Sequence, residues 1–98
     1  MTYRLTPLAI DHLKDIESYT STTWGIEQTI LYTGDITKCF AMLASNPRAG
    51  RIIDDSATQN IRKFPLKHHT VIYRIVGDDI EILAIPKAER DPANYLRS

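Results

Sequence analysis

Forty residues, Pro7–Asn46, carry apolar side chains at three- and four-residue steps, and the spacing is broken only at Trp24-Gly25. This spacing predicts two long amphipathic helices, because residues three and four apart share one face of an α-helix. Thr6-Pro7 favours the start of the first helix, and Asn46-Pro47 favours the end of the second. A connection this short makes the helices antiparallel neighbours, so the sequence predicts a helical hairpin over residues 7–46.

The boundary and the buried stripes of the two helices follow from side-chain chemistry. Four consecutive serine and threonine residues precede the hinge and are poor helix formers, so the first helix is expected to end near Ser21. Ile26 and Ile30 are expected on the buried stripe of the second helix. Trp24 and Phe40 are interpreted as packing residues of the core or the hinge rather than as ligand platforms.

The rest of the chain favours β-strands. One short strand precedes the first helix, and three more fall within residues 61–86, where β-branched and aromatic residues are frequent. Residues 52–60 are interpreted as an irregular surface loop, and residues 87–98 as a charged C-terminal tail. The predicted strands are Tyr3–Thr6, Ile61–Phe64, Thr70–Val76 and Ile80–Ile85.

The predicted element order is β-α-α-β-β-β, which indicates a single α+β domain over residues 1–98. In this class the helices and the strands form separate layers, so we expect the hairpin to pack on a small, mainly antiparallel sheet. The chain has no apolar run near the ~20 residues of a membrane span and no signal-peptide core at its start. We therefore expect a cytoplasmic protein with no membrane partner.

Equal numbers of basic and acidic residues, 12 of each, conceal a segregation of charge along the chain. Residues 7–46 hold five acidic and two basic side chains, whereas residues 61–76 hold four basic side chains and no acidic one. The zero net charge does not indicate a nucleic-acid partner, but a local cationic region can hold an anionic polypeptide.

Few residues form the pattern of a catalytic or metal site. Cys39 is the only cysteine, which excludes an intramolecular disulfide, and we interpret it as a buried, inert thiol. His68 and His69 are adjacent in an extended segment and are expected to face opposite sides, so we predict no metal ion and no other cofactor. A nuclease that needs no metal requires cations around a phosphate and a proton-transfer group. The candidates for such a site are Arg62, Lys63, Arg74, Lys87, Arg90 and Tyr95.

Short motifs in a fixed order run along almost the whole chain. They include the helical segment Asp11–Thr20, the hinge Trp24-Gly25 and the strand segments Arg62–Phe64 and His69–Arg74. Tyr3–Ala9, Leu43–Arg51 and Arg90–Pro92 complete the set. In type and order these motifs resemble the ParE branch of the RelE/ParE toxin superfamily, the toxins of type II toxin–antitoxin modules.

The resemblance implies a growth-arresting toxin that is neutralised by a cognate, ParD-like antitoxin. ParE-like members inhibit DNA gyrase by binding and have no catalytic step, whereas RelE-like members cleave mRNA on the ribosome. The neutral charge and the long hairpin favour gyrase, because a nuclease of the RelE type benefits from a basic surface. Ribosome-dependent mRNA cleavage remains the alternative. Ala84 and Lys87 stand where many family members have arginine and histidine.

Two sets of binding residues are predicted from the resemblance and the charge pattern. Arg90, Asp91 and Tyr95 in the tail are predicted to bind the target. An antitoxin that folds on binding can place a helix in an apolar groove beside the hairpin and a strand on the open sheet edge. The residues predicted to contact the antitoxin are Leu13, Ile16, Tyr19, Arg51, Arg62, His69 and Arg74.

Overall fold

The structure is a computed structural model that describes residues 2–54 and 60–88. Within these residues the chain forms two helices and five strands, and the two helices pack on one face of a single sheet. The predicted α+β class and the helical hairpin are confirmed. The elements are β1 Tyr3–Leu5, α1 Pro7–Trp24, α2 Ile26–Ser45, β2 Arg51–Asp54, β3 Ile61–Leu66, β4 His69–Val76 and β5 Asp79–Ala84.

The strands lie in the order β1-β5-β4-β3-β2. β1 runs parallel to β5, and the other neighbours are antiparallel. Thr6 couples the sheet to the first helix, because its amide donates to the Ile82 carbonyl at 3.0 Å and its hydroxyl donates to the Leu83 carbonyl at 2.9 Å. The same hydroxyl accepts a hydrogen bond from the Ala9 amide at 3.1 Å, which caps α1. The start of α1 is therefore fixed to β5.

The core lies between the helices and the face of the sheet that they cover. Alternate residues of β4 and β5 point to this face, and the helices cover it with side chains at helical spacing. Most of these side chains are almost fully buried, and this burial is the main stabilising contribution to a domain of this size. They are Ala9, Ile16, Ile36, Phe40, Leu43, Val71, Tyr73, Ile80 and Ile82.

The sheet has one strand more than the sequence predicted. Residues 52–60 were interpreted as a loop, but Arg51–Asp54 pairs with β3 as an edge strand, with a register shift between Ile52 and Asp54. The β-branched pair Ile52-Ile53 favours this strand, and the turn-forming residues after it obscured the pattern. β3 also continues through Pro65. Beyond Lys63 it has no second paired neighbour among the described strands, so the missing donor of proline is tolerated.

The outer end of the hairpin extends beyond the sheet. α1 continues to Trp24 instead of ending near Ser21. Trp24, Ile26 and Ile30 are 68%, 65% and 63% exposed, so the two isoleucines do not belong to the buried stripe and Trp24 stands at the hinge rather than in the core, whereas Phe40 is buried. The reason is geometric. Helices of 18 and 20 residues are about 27–30 Å long, and they extend past the ends of the short strands on which they pack. In the part of the chain that the structure describes, neither helix is long and apolar enough to cross a membrane.

A buried tyrosine holds the turn between α2 and β2. The Tyr73 hydroxyl donates to the Pro47 carbonyl at 2.7 Å and accepts a hydrogen bond from the Gly50 amide at 2.8 Å. A Cβ atom on Gly50 would lie 2.5 Å from the Tyr73 hydroxyl oxygen and 2.8 Å from the Lys63 carbonyl oxygen. Arg62 adds a hydrogen bond from Nη1 to the Gly50 carbonyl at 2.9 Å. Position 50 therefore requires glycine.

Candidate partner-binding groove

A groove opens where the outer half of the hairpin leaves the sheet, and it encloses about 1130 Å³. α1 and α2 form its walls. The turn between β3 and β4 and the segment that follows β5 form its remaining side. Aromatic, aliphatic and charged side chains line the groove. They include His12, Ile16, Tyr19, Trp24, Leu31, Tyr32, Asp35, Lys67, His68, His69, Ile85 and Lys87.

Large apolar side chains in the groove remain in contact with water. Tyr19 is 50% exposed and Leu31 is 62% exposed, and Trp24 stands at the outer end. Clustered exposed apolar side chains mark surfaces that bind a partner. A groove of this shape between two helices suits the apolar face of a third helix, which presents residues at three- and four-residue steps.

Four polar residues of the groove form two pairs. The Tyr32 hydroxyl oxygen lies 2.6 Å from Nδ1 of His69 and 3.3 Å from the Leu66 carbonyl oxygen. Burial raises the pKa of Tyr32, so the phenol stays protonated. Lys67 forms an ion pair with Asp35, and this hydrogen bond lowers the pKa of the Asp35 carboxyl.

Lys87 lies at the mouth of the groove. Its ammonium nitrogen is 5.2 Å from the centre of the Tyr19 ring, a cation–π distance. Residue 87 forms an isolated antiparallel bridge with His69, and the Ala88 amide donates to the His68 carbonyl at 2.9 Å. The chain after β5 is therefore held against the groove up to residue 88.

The family described as "ParE toxin of type II toxin-antitoxin system, parDE" matches residues 3–92 of the chain. The chain belongs to the ParE toxin family. Toxin ParE1 of Mycobacterium tuberculosis is 34% identical over 76 residues, which cover 78% of this chain and 76% of that protein. Toxin ParE1 of Caulobacter vibrioides is 32% identical over 83 residues, which cover 85% and 84%. The protein is thus the toxin of a type II toxin–antitoxin system, and its partner is a cognate antitoxin.

Two solved structures share the fold of this ParE toxin. The chromosomal ParDE toxin–antitoxin system from P. aeruginosa matches with a TM-score of 0.73 and 26% identity, covering 91% of this chain and 97% of that one. The isolated E. coli RelE toxin matches with a TM-score of 0.59 and 13% identity, covering 95% and 89%. The second likeness concerns the fold alone, and together they confirm the predicted RelE/ParE architecture.

The residues predicted to contact the antitoxin lie in different parts of the fold. Ile16, Tyr19 and His69 line the groove of the toxin, and Arg51 is exposed on the edge strand β2. These four positions fit one helix in the groove and one strand on the edge, and the contacts themselves stay a prediction. Leu13 is half-buried against the core and does not line the groove.

Arg62 and Arg74 have structural partners within the toxin. Besides its bond to Gly50, Nη1 of Arg62 reaches the Arg48 carbonyl at 3.4 Å. Nε of Arg74 donates to Oε1 of Glu81 at 2.8 Å in a half-buried ion pair between β4 and β5. Both arginines therefore contribute to the fold of the toxin. The predicted target-binding residues Arg90, Asp91 and Tyr95 lie outside the described residues.

His68 and His69 both line the groove, so the expectation that they face opposite sides was wrong. The cause is that His68 lies in the turn after β3, whereas only His69 belongs to β4. Across residues 2–54 and 60–88, no group of three or more metal-binding side chains lies close enough to hold an ion.

Leu31 and Tyr32 line the groove but were not among the predicted binding residues. A sequence signal for them exists, since Gln28, Leu31, Tyr32 and Asp35 recur at three- and four-residue steps on the side of α2 away from the exposed isoleucines. The apolar stripe of α2 that faces the sheet dominates the periodicity and conceals this second face.

His12 makes the stability of the toxin depend on pH. Its Nδ1 accepts a hydrogen bond from the Ile85 amide at 2.9 Å, which requires that this nitrogen carry no proton. Burial lowers the pKa of His12, against the opposing effect of Asp15 and Asp11. The unfolded chain therefore binds a proton more readily, and the stabilisation present above pH of about 6.5 is lost as the pH falls.

We expect His12→Asn to flatten this pH dependence, because Oδ1 of asparagine is as far from Cβ as Nδ1 of histidine, can accept the same bond and does not titrate near neutral pH. Urea unfolding at pH 7.5 and pH 5.5 measures the change in unfolding free energy for each protein. The wild-type loss on acidification should exceed that of the variant. Equal losses in the two proteins would contradict this role of His12.

Proposed function

We propose that this toxin arrests growth by binding DNA gyrase in the cytoplasm, without a catalytic step of its own. Gyrase inhibition is the activity that the resemblance to ParE-like members implies. The observation that carries the proposal is the dispersal of the cationic side chains that a nuclease needs. Metal-independent cleavage of RNA requires several cations around one phosphate in the transition state.

The described candidates for a nuclease site do not converge. Arg62 and Lys63 are adjacent in β3 and point to opposite faces of the sheet. Arg74 lies on the same face as Lys63, because its neighbour across the strands is Ile61, but it is bonded to Glu81. Lys87 stands at the mouth of the groove against Tyr19. This arrangement favours a toxin that acts by binding.

One observation favours mRNA cleavage as the second candidate. The Tyr32 hydroxyl and His69 are in contact at 2.6 Å within the same groove as Lys87. A tyrosine–histidine pair beside a lysine contains a proton-transfer group and a cation, which are two parts of a ribonuclease site. An antitoxin helix in the groove would cover these residues under either activity.

We further propose that a ParD-like antitoxin holds the toxin through the groove and the β2 edge. Tyr19, Trp24 and Leu31 offer apolar contacts for one face of a helix. β2 forms one edge of the sheet, and Arg51 on it is exposed, which suits an acidic strand. A partner that binds only the folded toxin stabilises it, so the complex is expected to melt at a higher temperature than the toxin alone.

Gyrase inhibition is expected in a supercoiling assay with purified gyrase and relaxed plasmid. The toxin should prevent supercoiling, and an equimolar amount of its antitoxin should restore it. In a translation extract, the same concentration of toxin should leave the mRNA intact. Lys87→Ala, which removes a cation from the groove that holds the Tyr32–His69 pair, separates the two candidates further.

Two outcomes would contradict the gyrase proposal. In the first, the wild-type toxin cleaves mRNA and leaves supercoiling unaffected, and Lys87→Ala reduces the cleavage at least tenfold. The other is full supercoiling at toxin concentrations that stop growth in cells. Lys14→Ala, a change at an exposed lysine on the outer side of α1, provides the matched control.

A further inference from the structure

The side of α2 that faces away from the groove is an apolar surface that residues 2–54 and 60–88 leave exposed. Its residues recur at three- and four-residue steps along the helix, and we name this surface the outer face of α2. Ile26 and Ile30 are 65% and 63% exposed on it. The outer face comprises Ile26, Ile30, Thr33, Gly34, Thr37 and Ala41, none of them charged.

The threonines of the outer face present methyl groups rather than free hydroxyls. The Thr33 hydroxyl donates to the Thr29 carbonyl at 2.8 Å and lies 3.2 Å from the Ile30 carbonyl. The Thr37 hydroxyl donates to the Gly34 carbonyl at 3.0 Å. Because these hydroxyls are satisfied within α2, covering them leaves no polar group without a partner, and the desolvation cost is small.

No contact among the described residues explains the glycine at position 34. Glycine in a helix interior costs about 1 kcal/mol relative to alanine. A Cβ atom on Gly34 meets no heavy atom within 4 Å, so packing inside the fold does not require its absence. A glycine one turn after the exposed Ile30, on the same side of the helix, lets another helix approach the backbone closely.

We propose that a second copy of this chain packs antiparallel against the outer face of α2. The large side chains lie in the N-terminal half of this face, and the small ones lie in the C-terminal half. In an antiparallel pair centred between Thr33 and Gly34, Ile30 meets Thr37 of the second copy and Ile26 meets Ala41. Large residues therefore meet small ones twice by symmetry, as a two-fold interface requires.

The charges that border the outer face fit the same arrangement. Glu27 and Lys38 lie next to it on the exposed side of α2. In the antiparallel pair each Glu27 approaches Lys38 of the other copy, so the opposite charges attract. A parallel pair would instead place identical residues opposite one another, isoleucine against isoleucine and acid against acid.

The extent of the outer face indicates a weak dimer. Residues 26–41 span about 24 Å of helix, so the contact falls near the lower end of specific interfaces, about 1,200 Å² in total. We therefore expect a dissociation constant in the micromolar range. Leu31 and the groove lie on a different side of α2, so this contact leaves the antitoxin site open.

Sedimentation velocity of the full-length toxin between about 1 and 300 μM tests the proposal. The wild type should pass from monomer to dimer as the concentration rises. Ile30→Glu should raise the dissociation constant at least tenfold, whereas Leu31→Glu should leave it unchanged. These two positions are adjacent and equally exposed, at 63% and 62%, so they form a matched pair.

A charge pair tests the register of the dimer. Ile30→Glu combined with Thr37→Lys should restore dimerisation, because the introduced carboxylate of one copy then meets the introduced ammonium group of the other. Within one helix these positions are seven residues apart and do not pair. Ile30→Glu combined with Ala41→Lys places the charges out of register and should not restore it. Gly34→Leu should block the dimer while it raises helicity, which separates loss of contact from loss of folding.

Two results would overturn the proposal. One is a dimer that Leu31→Glu disrupts and Ile30→Glu does not. The other is a monomer at every concentration, including a monomer that loses gyrase inhibition in Ile30→Glu. The last result would assign the outer face to the target instead. Dimerisation without gyrase inhibition would leave this inference intact and refute the proposed function.

Discussion

Gly50→Ala is expected to lower the free energy of unfolding by about 3 kcal/mol or more, combining overpacking with the loss of buried hydrogen bonds. The added methyl group meets the Tyr73 ring, 2.7 Å away at Cε1, and the Lys63 carbonyl oxygen at 2.8 Å. Neither can retreat easily, because Tyr73 is fully buried and bonded to Pro47, and Lys63 belongs to the sheet.

Thermal unfolding measures this effect directly. For a domain of this size, each kcal/mol shifts the midpoint by about 4–8 °C, so we expect a decrease of at least about 12 °C. Gly34→Ala is the matched control, since the added Cβ atom there meets open space and alanine favours the helix by about 1 kcal/mol. A midpoint for Gly50→Ala within 3 °C of the wild type would refute the packing argument.

Leu31→Glu is expected to weaken antitoxin binding at least 100-fold, about 2.7 kcal/mol. The change replaces an exposed apolar side chain in the groove with a carboxylate, which an incoming helix would have to bury. Isothermal titration with the antitoxin gives the change in affinity.

In cells, the Leu31→Glu toxin should stop growth even when the antitoxin is present in excess. Ile30→Glu, the adjacent exposed position outside the groove, should remain fully neutralised. If both variants are neutralised equally well, the groove is not the antitoxin site. If neither stops growth without the antitoxin, then α2 also contributes to the toxic activity.

Periodicity and β-propensity predicted most of the fold because they report local preferences that the tertiary structure retains. The hinge at Gly25, whose φ is 92°, and the strands around Tyr73 are examples. β2 was missed because four residues at a sheet edge carry too short a pattern to separate from the turn that follows. The exposure of Trp24 depends on how far the hairpin extends beyond the sheet. No local sequence pattern predicts that distance.

The groove was predicted in part for a similar reason. Ile16 and Tyr19 belong to a stripe that the sequence displays, whereas Tyr32 lies in the groove because the turn after β3 reaches α2. Arg62 was a candidate for chemistry because arginine binds phosphate well. Its hydrogen bonds to carbonyls 12 and 14 residues earlier depend on long-range geometry that residue type does not reveal.

The parallel pairing of β1 with β5 has a consequence for how the toxin is made. The Thr2 amide bonds to Asp79, 77 residues later, and the start of α1 is anchored to β5 in the same way. A nascent chain on the ribosome cannot complete this sheet until β5 has emerged, because β5 lies between β1 and β4. Until then the helical hairpin lacks the central part of the sheet on which it packs. We therefore expect the complete toxin fold to form only after β5 has been made, and an antitoxin already present can capture the toxin as it folds.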